Sequence, residues 1–202
     1  LIWGNTQVST TTFQQWCVPI LQKDADGTKL GGIGGTNFIG VPLKIAEEFY
    51  TKNGLPINYD KEFAAVDQFA LRTGDATHKY YIKQGYQTIQ LNFDREPRFY
   101  ADLGFDGGKW LGALGNYNDL KPDDIHTLEA RGGSSNGKTN NKEAGPVTGY
   151  FPKKLAPYRV IWSGNASSAT ISTYWFPWPM IRLSDLYLLY AEAINEVEGP
   201  NG

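Results

Sequence analysis

Trp175-Phe-Pro-Trp-Pro-Met-Ile-Arg-Leu-Ser-Asp-Leu-Tyr-Leu-Leu-Tyr-Ala-Glu-Ala-Ile-Asn-Glu-Val-Glu198 is followed by Gly199-Pro200, and the reading of this stretch decides the class of fold. Pro179 suits the first turn of a helix, and Gly199-Pro200 reads as its stop. Wound at about 100° per residue, Arg182, Asp185, Glu192 and Glu196 fall on one narrow stripe. The rest of the cylinder is almost entirely apolar or small, as in a helix surrounded by other helices. A scaffold helix is therefore expected over 180–198, with Leu183, Leu186, Tyr187, Tyr190, Ile194 and Val197 buried against helical neighbours. Trp175 and Trp178 are expected to pack on its first turn. Little else in the chain reads as a partner helix, so the chain is expected to be a piece of something larger.

Working back from that helix, the remainder alternates short elements with polar loops. Tyr158–Trp162 and Thr148–Phe151 read as strands, separated from the helix by a loop at Ser163–Thr173. Residues 131–145 are rich in Gly, Ser, Asn and Lys, the composition of an exposed loop. Glu96–Phe105 alternates enough for a strand, and Asp106-Gly107-Gly108 is a hairpin-type turn leading into Lys109 and Trp110. Asn58–Phe63 opens a second polar–apolar region. Leu43–Tyr50 suits a short helix introduced by Pro42 and ended by Asn53-Gly54. Residues 22–40 are too glycine-rich for regular structure, and 1–21 read as extended chain and loop. The expected class from these residues is an irregular α+β fragment, a loop-rich part with short β at 1–179 closed by one strongly apolar helix at 180–198.

Composition narrows the function classes. A formal charge of −2 over 202 residues supplies no basic field for nucleic acid or anionic lipid. Cys17 is the single cysteine, so neither an internal disulfide nor a cysteine metal cluster can form. No apolar run reaches the 18 or so residues of a membrane span, and Leu1-Ile2-Trp3 does not itself read as the charged start of a signal peptide. Six Trp and twelve Tyr are many for this length. Such rings fill cores, and they also provide the flat faces on which sugar rings stack.

Several motifs match chemistry by letter and fail it by context. Gly132–Thr139 fits the phosphate-loop pattern, but no apolar strand precedes it and no amphipathic helix follows, so it reads as a loop. Asp24-Ala-Asp-Gly-Thr hints at a calcium loop, yet the twelfth position is Gly35 instead of an acid, which leaves a solvated turn. His78 and His126 are the two histidines, and neither stands at metal-ligand spacing. Asp94 with Glu96, or Asp102 with Asp106, could form a glycosidase pair by count, but acids in polar turns are usually solvated. No Gly-x-Ser-x-Gly elbow supports a serine nucleophile, and Asn165-Ala-Ser167 is a glycosylation sequon by pattern alone.

Four blocks, taken in order, give the chain its resemblance. They are Glu48–Ile57 (EFYTKNGLPI); Asn92–Ala101 (NFDREPRFYA) with Phe105–Trp110 (FDGGKW); Thr148–Lys154 (TGYFPKK); and Ile181–Glu196, which contains LSDLYLLYAEA. In this order they resemble the SusD/RagB family. The resemblance implies a surface-exposed outer-membrane lipoprotein of Bacteroidetes, mostly α with irregular loops and short β, with tetratricopeptide-type helix pairs supporting a loop-rich ligand-binding part. It implies a lid on a SusC-like TonB-dependent transporter, capturing glycans or sometimes peptides for import, with no catalytic residues, cofactor or metal. It matches the family's C-terminal portion, with leader, lipidated cysteine, N-terminal repeats and final segment absent; Cys17 does not fit the lipobox position. Within that reading, Trp3, Trp16 and Trp110 stand beside loop-forming sequence and are the expected glycan contacts, with Asn116 and Tyr117 as companions to Trp110. The alternatives are a carbohydrate-active enzyme, a peptide-binding member of the family, or a pure tetratricopeptide scaffold; the last requires a repeat near 34 residues, and none is present.

Overall fold

The computed structural model describes residues 2–19, 39–113, 125–131, 146–155, 160–161, 170–171 and 174–199. Among these the chain is an α+β mix of five α-helices, two 3-10 turns and ten strands of two to five residues. It divides into two compact units, Leu1–Thr12 with Tyr174–Gly202, and Phe13–Thr173.

After β1 (Trp3–Asn5) comes α1 (Thr10–Cys17), a helix where the sequence suggested extended chain and loop. Thr and Gln are modest helix formers, but Thr10, Gln14 and Cys17 recur at helical spacing and are buried. Burial of that face outweighs the local preference.

In the second unit α2 (Leu43–Glu48) follows Pro42 and buries Ala46; it stops at an extended Phe49, short of Asn53-Gly54. A 3-10 turn at Ile57–Tyr59 leads into α3 (Lys61–Ala64). The Asp60 carboxylate caps α3 by accepting the amides of Glu62 and Phe63. β2 (Leu71–Thr73) and β3 (Gln87–Ile89) pair antiparallel.

The expected strand at 96–105 is instead α4 (Pro97–Asp102) followed by β4 (Leu103–Gly104). The reason is local: Pro97 occupies the first turn after an extended Glu96, where its fixed φ and missing N–H suit a helix. Asp106 and Gly107 do turn, with Gly107 at φ +81°, a conformation open to glycine. The turn closes no hairpin, however. Its next strand, β5 (Lys109–Ala113), pairs antiparallel with β6 (Ile125–Thr127), whereas β4 pairs with β7 (Phe151–Pro152). β8 (Val160–Ile161) and β9 (Thr170–Ile171) extend the β5 sheet to the order β6-β5-β8-β9, with β5 and β8 parallel. The core gathers Ile82, Leu91, Phe93, Phe99, Leu103 and Phe105. Trp110, Leu128 and Phe151 form a smaller cluster.

In the first unit β10 (Trp178–Ile181) pairs antiparallel with β1, setting Pro179 opposite Gly4. Pro179 therefore lies in a strand and not in the helix. The helix proper, α5, spans Leu183–Glu198 and starts at Arg182, whose backbone N–H donates to Asp185 Oδ2 at 2.9 Å. Gly199 ends it at φ +78°, as the Gly-Pro stop implied. No residue of α5 is buried, and Val197 is 84% exposed. The expected burial of Leu183, Leu186, Tyr187, Tyr190, Ile194 and Val197 thus does not occur within this chain, Ile194 being half-buried and the other five exposed. Trp175 is exposed as well, contrary to expectation, while Trp178 is half-buried.

Candidate functional site

The second unit is organised by charged groups drawn inward. Asp94 adopts φ +55°, unusual for a residue with a side chain. Its carboxylate accepts from Lys52 Nζ at 3.0 Å and Arg72 Nη1 at 2.8 Å, with His78 Nε2 3.3 Å away. Burial pushes the Asp94 carboxyl up, but the hydrogen bonds from Arg72 and Lys52 prevail and hold it below the ordinary range. His78 Nδ1 is 2.7 Å from Asp75, and that contact brings the Asp75 carboxyl down to about 2. Phe93 supports the group: the Arg72 guanidinium lies 4.3 Å from its ring centroid and the His78 ring meets it edge-on.

The next residue works by a different arrangement. Arg95 is buried, and its guanidinium donates to the carbonyls of Ala46, Phe49, Tyr50 and Leu91 while lying 4.6 Å from the Phe99 ring. Burial lowers it to about 10. Lys153 repeats the device, with Nζ donating to Tyr100 O at 2.8 Å and Lys109 O at 3.1 Å. Asp106 accepts from the Tyr86 hydroxyl, the Ala130 amide and Arg131 Nε at 2.8–2.9 Å. These groups bind backbone and one another; they close loops around the core. Cys17 is buried, which pushes its thiol up to about 11 and keeps it protonated.

The acids weighed as a glycosidase pair are committed in the same way. Asp94 carries the cations just described, Glu96 takes Arg98 at 2.7 Å and the Tyr50 amide at 2.9 Å, and Asp106 takes Arg131. Asp102 lies 3.9 Å from Lys154. A general acid needs a carboxyl raised toward neutrality, and the shifts of Asp60, Asp75 and Asp94 all run downward.

The rings singled out from sequence have different fates. Trp3, in the first unit, is 62% exposed. Trp16 is 37% exposed and meets Phe13 edge-on at 5.4 Å. Trp110 is 0% exposed, packed against Gly104, where a Cβ would come within 2.5 Å of its ring. It has no face for a ligand, which corrects the expectation drawn from its place after a turn: the turn brings it under Leu128 and Phe151, and burial of a ring that size outweighs exposure. Asn116 and Tyr117 lie outside the described residues, as do Asp24–Gly35, Gly132–Thr139 and Asn165–Ser167. The sequence reading passed over Tyr80 and Tyr81, both exposed in a turn where the Tyr81 ring stacks on Tyr100 at 4.2 Å. Two adjacent tyrosines outside any apolar period were the available signal.

A model described as the SusD family matches residues 2–202. Two solved structures share the fold: BT4246 with TM-score 0.63 and its selenomethionine form with 0.61, both 25% identical to this chain. Each match covers 98% of this chain, which spans 30% and 31% of theirs, about three tenths of their length. Among curated proteins there is no match. No helix among the described residues is long and apolar enough to cross a membrane. With the family match running from the second residue to the last, the chain belongs to the SusD family.

Proposed function

We propose that the protein is a cell-surface glycan-binding protein that captures oligosaccharide or polysaccharide and passes it to a SusC-like TonB-dependent transporter. It is an outer-membrane lipoprotein without catalytic activity, held to the membrane through an N-terminal lipid. The observation that carries this reading is the family match across the chain. The chemistry of the described surface supports it. Exposed rings stand on a unit in which Asp94 and Asp106 are occupied by cations, and the small net charge suits a neutral ligand. In this reading α5 is a scaffold helix of tetratricopeptide type whose neighbours lie in the rest of the protein. Trp3 and Trp16 remain the sequence-derived contacts with a surface to offer.

The test is a panel of polysaccharides and peptides presented to the protein, read by calorimetry for binding and by reducing-end assay for cleavage. The expected result is binding to one glycan class with no new reducing ends. Release of product would make the protein an enzyme, and binding confined to peptides would move it to the peptide-binding members of the family.

A further inference from the structure

We infer that Tyr81 is a stacking platform for one sugar ring of the captured glycan, a contact that rests on the glycan-binding reading and gives it a place. Exposure alone does not single out this ring, since Tyr59 and Phe69 are more exposed. The difference is what lies behind each one. Tyr81 is stacked on Tyr100, centroids 4.2 Å apart and planes 13° apart. Neither Tyr59 nor Phe69 has a stacked ring behind it among the described residues.

Tyr100 is a firm support. It is buried, its hydroxyl donates to Asn92 O at 3.1 Å and accepts the Arg95 amide at 3.2 Å, and its carbonyl accepts Lys153 Nζ. The Tyr81 backbone is held at both ends of its peptide unit, its amide donating to His78 O and its carbonyl accepting from the Lys109 amide, each at 2.8 Å. Tyr81 is 41% exposed, and with one ring face on Tyr100 the ring surface left to meet a ligand is its opposite face and edge. A ring immobilised before the ligand arrives loses little conformational freedom on binding, which favours contact through that face.

The surroundings favour a carbohydrate over an apolar partner. In the same turn Tyr80, the preceding residue, is exposed, with the Lys79 ammonium 5.2 Å from its ring centroid. A flat apolar face in a turn that also carries an ammonium and a phenol fits a pyranose, which presents C–H groups on one side and hydroxyls around its rim.

The experiment takes whichever oligosaccharide of the panel binds and titrates it into the protein and its Tyr81→Ala, Tyr81→Phe and Tyr59→Ala variants, with melting temperatures measured alongside. Tyr81→Ala is expected to weaken binding roughly three- to tenfold, the range of a lost ring contact. Tyr81→Phe and Tyr59→Ala should bind as the parent does. Because loss of the ring also uncovers Tyr100, a second measurement uses the unaltered protein: tetranitromethane nitration with and without the oligosaccharide, read by peptide mass spectrometry. Protection of Tyr81 and none of Tyr59 is expected. Parent-like affinity in a folded Tyr81→Ala variant, or undiminished nitration of Tyr81, overturns the platform while glycan capture stands. If no glycan binds the parent protein, both readings fall.

Discussion

Arg95 shows how a charged residue can hold a structure together without an acidic partner. Four carbonyls from two chain segments converge on one guanidinium, whose planar donors can meet them in several directions at once. Arg95→Met would leave those buried acceptors unpaired, and at roughly 1–3 kcal/mol for a single such group the loss should exceed about 3 kcal/mol. The measurement is the urea midpoint, falling with an unchanged slope; Arg95→Lys should recover only part, since an ammonium cannot span the four sites. Lys153 makes a different prediction. Burial, only partly opposed by Asp102, lowers it from 10.5 to about 8 in the folded protein. Between those values the unfolded chain holds the extra proton, so this residue makes stability rise with pH from about 8 to about 10.5. Below about 8 both states are protonated and the burial penalty is fully present. A Lys153→Met variant should lack that rise, and melting temperatures across the alkaline range would show it; an identical slope in both proteins would refute the assignment.

At the scale of elements, α5 and α4 teach opposite lessons. α5 was legible because an apolar surface with one polar stripe and a Gly-Pro stop occurs over 16 residues, long enough for the pattern to accumulate. α4 was misread as a strand because six residues hold less than two helical turns, and in so short a span alternation and helical spacing are hard to separate. The start of α5 was misplaced for a related reason. Pro179 fits the first turn of a helix or a two-stranded ladder equally well, and the pairing of β10 with β1, from the other end of the chain, decides between them. The apolar exposure of α5 gives the scaffold reading a direct test. In the 202-residue chain Leu186 faces solvent, so Leu186→Asp should leave the melting temperature nearly unchanged. In the whole protein the same change should cost about 2 kcal/mol or more, because it would bury an unpaired carboxylate. Equal and small effects in both contexts would end the scaffold reading.

For the molecule as a whole, the first three of the four blocks that carry the family resemblance coincide with the internal framework of the second unit. Arg95, from the second block, clamps carbonyls of Phe49 and Tyr50 in the first, and Lys153, from the third, clamps the Tyr100 and Lys109 carbonyls in the second. Those motifs therefore describe how loops are tied to a core, and they say little about the ligand. Recognition would fall instead to surface rings and loops, which can vary while the clamps stay. The near-neutral charge adds a feature to the binding panel: capture of a neutral glycan should be almost insensitive to ionic strength, whereas a strong salt dependence would indicate a charged ligand.

Residue order and local periodicity were enough to identify the family, the long C-terminal helix with its stop, and the short helix after Pro42, and the composition alone fixed a near-neutral total charge. Each of these depends on residue order, local periodicity or total charge, quantities complete in one dimension. The tertiary structure decided that Trp110 is core while Trp3 is surface, that Asp94, Asp106 and Glu96 are occupied by cations, and that Tyr81 rests on Tyr100. Burial and ion pairing depend on which distant segments meet. A tryptophan after a turn and a tyrosine in one look alike until Gly104 and Leu128 close over the first, while the second rests on Tyr100 and stays partly exposed.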